Sequence, residues 1–400
     1  MENSPERIYL DYAASNPLWP EAAAAMVEAE RLAGNPSATH FFGRQARQLL
    51  DRSRQTVAEF LGADAGQLTF TSSATEANNL ALFGLLGPLG RGRDRGQGPR
   101  PRLLTSRLEH PSINQPAAQL ADRYGWALDW LTIGPEARVS ADQVAAAVRP
   151  ETAAVCLTAA NNILGSLQPI AEVSAQLARL RQAREARGNR QPLYLIVDAV
   201  QAAAWQELRP GQWGLDALVI SGHKTGGPKG VGCLWLRPGL VPNVEPLIHG
   251  GGQEQGRRSG TENLAAIAGL AAAVQAAAAG RDAETERCRG LRARLTDGLK
   301  AAGFRHRLLG ATAEQSLPGT VFVHFPGQPA DALAMKLDAA GLAVSAGSAC
   351  QASQRRSPAI LEEAYGSAVA KWGGLRISFG RFTDAAQIDR LIEALRSTFR

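Results

Sequence analysis

Five short apolar runs, each closing on polar residues, constrain this 400-residue chain more than any other feature: QLTFTSS, RLLTSRLEH, AVCLTAANN, LYLIVDAVQ and ALVISGHK. A strand covered on both faces reads as a continuous apolar run, and several of the segments between these runs are long enough for crossover helices. The pattern predicts an α/β fold on a mostly parallel sheet. Ligands of such sheets gather beyond the carboxyl ends of the strands. Thr75, His110, Asn162, Asp198 and Lys224 fall there, at the ends of the runs or just past them.

Between the runs, Gln45 to Leu61 carries apolar residues at the spacing of an amphipathic helix. After residue 261 the texture changes. Thr261 and Glu262 suit a helix start, and Leu264 to Ala279 reads as a long connecting helix followed by a basic helix near Arg281 to Ala301. Strand-like GTVFVHF, a helix around Ala330 to Ala339, strand-like LAVSA, a Gly/Ser-rich loop, RISFG and a last helix from Ala385 to Phe399 follow. We expect a large domain over 16–261 and a smaller α+β domain made of 1–15 and 262–400. The Gly/Pro/Arg stretch from Leu86 to Arg102 reads as an exposed connector.

Composition excludes several classes. Hydrophobic residues make up 45% of the chain, too many for a disordered one. The surplus of 43 basic over 37 acidic residues, +6, is too diluted to argue for nucleic acid. Four cysteines, Cys156, Cys233, Cys288 and Cys350, lie far apart without metal-ligand spacing, so we expect neither disulfides nor a metal site. MENSPERIYL shows no secretory pattern, and the most apolar stretch is shorter than a bilayer span. The expected setting is cytoplasmic, away from membranes.

Three features point to chemistry. In TFTSSATEANN, Ser73 and Glu76 form a capping-box pattern, and a helix start reached through small residues is an anion site. Asp198 ends a strongly apolar run, where a buried carboxylate is costly without a cationic partner. Ser221, His223 and Lys224 end another run before a glycine-rich turn, and a partly desolvated lysine there suits Schiff-base chemistry. Together they match the needs of pyridoxal 5'-phosphate, whose pyridine nitrogen an acid keeps protonated. Cys350 sits in SAGSACQASQRRSP, a loop of small polar residues followed by Arg355 and Arg356, whose charges favour thiolate. Cys156 and Cys233 lie inside apolar runs and read as inert, and Cys288 has no partner apparent in sequence.

At this point the chain resembles the cysteine desulfurases of the NifS/IscS type, pyridoxal-phosphate enzymes of the class V aminotransferase group. YLDYAAS, GNPSATHFFGRQAR, FTSSATEANN, LEHPSI, ANNILGSLQPI, VDAVQAA, SGHKTGGPKGVG, IHGGGQEQGRRSGTEN, VSAGSACQAS and RISFGRFT carry the likeness, in order, along nearly the whole chain. The resemblance implies a type I pyridoxal-phosphate transferase fold with a seven-stranded sheet. By the same resemblance Lys224 forms the Schiff base and moves the Cα proton, Asp198 pairs with the pyridine nitrogen, and His110 stacks on the ring and assists proton transfer. Gln201 and Asn162 bond the ring oxygen and help place substrate. Ala74, Thr75, Ser221 and His223 hold the phosphate, joined by Thr261 from the other subunit of a homodimer. Arg376 grips the substrate carboxylate. Cys350 takes sulfur from L-cysteine as a persulfide, leaves L-alanine, and passes sulfur to an acceptor protein for iron–sulfur cluster or thio-cofactor assembly. One departure stands out: the family usually shows a Glu after the paired asparagines, and here Asn161 and Asn162 precede Ile163 and Leu164. A selenocysteine or cystine lyase, an aminotransferase of the same fold, and a non-catalytic scaffold remain alternatives.

Overall fold

The computed structural model describes residues 7–90, 99–347 and 359–399. Its first half runs β1 (Ile8–Tyr9), α1 (Pro20–Glu30), α2 (Phe41–Leu61), β2 (Leu68–Thr71), α3 (Ala74–Gly90), β3 (Arg102–Ser106), α4 (Pro111–Tyr124), β4 (Ala127–Leu131), α5 (Ala141–Ala147), β5 (Thr152–Thr158), α6 (Ile170–Ala186) and β6 (Tyr194–Asp198). Then come β7 (Ala217–Ser221), β8 (Gly232–Leu236), α7 (Leu264–Ala301), β9 (Arg307–Leu309), β10 (Thr320–His324), α8 (Ala330–Ala339), β11 (Leu342–Ala343), α9 (Ala359–Tyr365), α10 (Ser367–Trp372), β12 (Leu375–Ser378) and α11 (Ala385–Thr398).

Seven strands form the main sheet in the order β2-β8-β7-β6-β5-β3-β4, and β8 alone runs antiparallel to its neighbours. The apolar runs become its central strands because both faces are covered. Along β5, Val155 and Leu157 enter one apolar cluster while Ala154 and Cys156 enter the other. In β7, Leu218 and Ile220 alternate with Ala217 and Val219 in the same way. Side chains alternate across a pleat, so a run apolar at every position has a core on each side. Fully burying each such Leu, Ile or Val contributes about 1.5–3 kcal/mol.

A third cluster joins Ile8 and Leu10 to Cys288, Leu295 and Leu299 of α7, β10, β12 and α11. Here β10 lies between β12 and β9, antiparallel to both. The sequence suggested two helices across 264–301, and the structure has one of 38 residues capped by Asn263, whose side chain accepts from Ala266 N–H. Glycine at 280 does not break it, because packing on both sides outweighs the cost of about 1 kcal/mol. The first half, apolar and long enough by composition to cross a bilayer, packs against α1 and α2. Ala266, Ile267, Leu270, Ala271 and Val274 belong to the large cluster and Cys288, Leu291, Leu295 and Leu299 to the small one, so the change of core falls inside α7. Ile360, Leu361, Ala364 and Val369 of α9 and α10 return to the large cluster.

Candidate active site

Strand direction sets the site. β7, β6, β5 and β3 all end at one edge of the sheet, and antiparallel β8 begins there. Asp198 is the last residue of β6, Ser221 the last of β7, and Lys224 closes the short 3-10 turn that follows. The lysine and the acid of the sequence reading thus leave adjacent strands on the same side.

The Asp198 side chain is buried, 6% exposed. Its carboxylate accepts from Asn78 Nδ2 at 2.9 Å and from Val200 N–H at 3.0 Å. These donors are neutral, where the sequence suggested a cation. Glu109 is buried as well; burial raises its carboxyl well above the usual range and the charge of Asp198 raises it further. His110 is pulled below its ordinary value by burial, with Asp198 raising it and Lys224 lowering it. His223 drops to about 4 through burial, then Lys224, Lys229 and His110, and stays neutral. The structure therefore gathers Asp198, His110, His223 and Lys224 within mutual electrostatic reach.

The N-terminal segment closes one side. Lys224 Nζ donates to the carbonyls of Ala13 and Ala14, and Gln201 Nε2 donates to Ala13 O at 3.0 Å. Asn16 ties the lysine from below through its N–H to His223 O and its amide to Lys224 O. Arg376, 4% exposed, bonds Asp11 Oδ1 and the Asn162 carbonyl, each at 2.8 Å, and its Nε has no partner among the described residues. That link ties Asn162 and Arg376 to the N-terminal segment that also holds Lys224.

The anion side rests on one glycine. Gly232 pairs with Ser221 on one side and Thr71 on the other. A Cβ on it would lie 2.5 Å from the Ser73 carbonyl carbon and 2.6 Å from Ala74 N. Only glycine lets the start of α3 descend beside Ser221, where the Ala74 and Thr75 N–H groups have no acceptor within the helix. The capping box forms by half: Ser73 Oγ accepts from Glu76 N–H, but the Glu76 carboxylate turns to Ser72 and Arg258. A buried acid, an amine one strand away and a helix start cleared by glycine fit pyridoxal phosphate.

Other positions stand apart. Thr261 is exposed on the loop before α7, and no described contact joins it to the Lys224 cluster of its own chain. Arg54 and Glu254 pair beneath that loop, and Glu254 also accepts from Phe70 N–H of the edge strand. Cys350, Arg355 and Arg356 lie outside the described residues. Leu164 enters the core and Ile163 packs against it, while Asn161 Oδ1 accepts from both of their N–H groups. Cys156, Cys233 and Cys288 are buried, and burial raises each thiol, Cys233 to about 12. Cys288 has a partner after all, donating to Glu284. Residue patterns alone missed Asp11, Asn16, Asn78 and Ser112. The motifs YLDYAAS, ATEANN and LEHPSI contain them, but without a fold nothing ties them to the lysine.

The aminotransferase class-V family model matches residues 8–391. An IscS-like cysteine desulfurase of Mycobacterium tuberculosis is 36% identical, over 97% of this chain and 95% of that protein. A solved NifS-like protein superposes with a TM-score of 0.86 at 27% identity, covering 98% of this chain and 99% of that one. SspA, solved in complex with cysteine, gives 0.77 at 27% identity over 94% of this chain and 100% of its own.

Proposed function

The chain belongs to the aminotransferase class-V family, among its IscS-type cysteine desulfurases, and from that premise we propose that it converts L-cysteine to L-alanine and leaves the sulfur on Cys350 as a persulfide. The observation that carries this reading is the placement of Asp198 and Lys224 at the carboxyl ends of adjacent strands. Bound pyridoxal phosphate supplies an electron sink for the pair left when a proton leaves the substrate Cα. Asp198 would hold its ring nitrogen, and His110 would lie against the ring. Gln201 takes the ring oxygen, while Ala74, Thr75, Ser221 and His223 hold the phosphate. Lys224 would hold the coenzyme through its amine and carry the Cα proton on Nζ, with the Ala13 and Ala14 carbonyls there to hold that amine. Arg376 takes the substrate carboxylate with Asn162 beside it; bidentate geometry favours arginine for that task.

The sulfur step balances without an outside oxidant. Cys350 thiolate attacks the substrate sulfur, an S–S bond forms, the Cβ–S bond breaks, and the carbon takes a proton to become alanine. Thr261, exposed at its own surface, serves the neighbouring subunit of a homodimer in this reading. Exposed Val27, Phe41, Phe42, Leu247 and Ile248 support such a contact. An acceptor protein in the cytoplasm then removes the sulfur.

The test is direct. Full-length protein loaded with pyridoxal phosphate and given L-cysteine forms alanine, and mass spectrometry finds one added sulfur on the Cys350 peptide. Coenzyme-loaded protein that makes no alanine under reductant sinks the proposal. Cys350→Ala separates it from a lyase or aminotransferase, whose reactions need no enzyme thiol.

A further inference from the structure

His110 Nδ1 lies 3.1 Å from the main-chain nitrogen of Ser112 and 2.8 Å from Ser112 Oγ. A main-chain N–H can only donate, so Nδ1 accepts. Neutral His110 therefore carries its proton on Nε2. The Ser112 hydroxyl also donates to Nδ1, and its oxygen accepts from Asn78 Nδ2 at 2.9 Å. The other hydrogen of that amide reaches Asp198 Oδ2, also at 2.9 Å. Turning the amide over would set its oxygen against the Asp198 carboxylate, acceptor against acceptor. Asn78 and Ser112 are both buried, and Asn78 Oδ1 has no partner among the described residues. The amide is thus oriented by what its nitrogen bonds.

We propose that Asn78 and Ser112 are positioning residues through which Asp198 sets the direction of the hydrogen bonds to His110, locking the imidazole as the neutral Nε2–H tautomer. His110 is then a donor toward coenzyme and substrate and never a base at Nδ1. The charged and titratable groups facing it are Asp198 from β6, Lys224 and His223 after β7, and Glu109 on its own turn. Asp198 and Lys224 act on it in opposite directions, and His223 and Glu109 are neutral, so the hydrogen bonds decide. This hydrogen-bond relay deepens the desulfurase reading and rests on it only for what Nε2 faces.

The measurement is nitrogen NMR of histidine-labelled full-length protein, with and without added pyridoxal phosphate, with His110→Gln assigning the resonance. His110 should show a protonated Nε2 and an acceptor Nδ1. Ser112→Ala removes one of two donors to Nδ1 and should raise the imidazole's titration midpoint by about half to one pH unit. Ser112→Thr, which keeps the hydroxyl, should restore it. Asn78→Ala frees the hydroxyl to turn and should shift the midpoint the same way. Ser112→Ala deletes a single oxygen, so the test stands even if Asn78→Ala fails to fold. An Nδ1–H imidazole in the unmodified chain, or a Ser112→Ala protein titrating like it, overturns the relay. Protein with the expected tautomer that makes no alanine from cysteine overturns the desulfurase reading instead.

Discussion

Two buried aspartates sit at opposite edges of the same sheet and are treated in opposite ways. Asp216, at the amino edge before β7, is 2% exposed. It pairs with Arg181 at 2.6 Å and Arg237 at 2.9 Å while accepting from Leu195 N–H. Asp198, at the carboxyl edge, is also buried, yet its hydrogen bonds come from an amide and a main-chain N–H. Two guanidiniums neutralise the first, and it has little charge to lend. The second takes its hydrogen bonds from neutral donors, so in the proposed function its carboxylate is the partner for a cation that arrives with a ligand. Burial is common to both acids; their partners distinguish them.

Asp198→Asn breaks the comparison most severely. An ion pair near 4 Å at an effective dielectric near 20 is worth about 4 kcal/mol, so alanine formation should fall about a thousandfold with the fold intact. Rates within tenfold of the parent would remove the special standing of the carboxyl edge. Asp216→Asn should do the reverse, costing about 1–2 kcal/mol in urea unfolding because it weakens the bonds of a buried acid to two partly exposed arginines, while activity per folded molecule holds. A clear loss of turnover in that variant would erase the division between the edges.

Gly232→Ala sharpens the same contrast. Its methyl would press on the Ser73–Ala74 backbone, so we expect a loss of about 2 kcal/mol together with weaker coenzyme retention, read by equilibrium dialysis. Unchanged retention would mean that the α3 start does not hold the phosphate. The last test is a pH slope. With His223 near 4 when folded and 6.5 as its ordinary value, the unfolded chain binds the extra proton between those limits, so stability falls as pH drops from 6.5 toward 4. His223→Asn should flatten that slope in urea midpoints of the coenzyme-free protein; an unchanged slope assigns it to other groups.

Much of this was legible beforehand. LYLIVDAVQ and ALVISGHK gave the buried strands and placed Asp198 and Lys224 at their ends, because a strand covered on both faces must be apolar throughout. The helix over Ala330–Ala339 was equally plain. Boundaries governed by packing were not. Asn263 rather than Thr261 caps α7, and one continuous helix spans both cores. Glu76 faces Arg258, a partner 182 positions away, rather than completing its local capping box.

The sequence by itself determined the strands, the edge where they end and the residue types waiting there, since apolar periodicity and motif spacing are local properties of the chain. Only the tertiary structure decided which groups face one another. Asn78 reaches Asp198 across 120 positions and Arg376 reaches Asp11 across 365. Hydrogen bonds and charge act over a few ångströms of space, and distance along the chain does not set that separation.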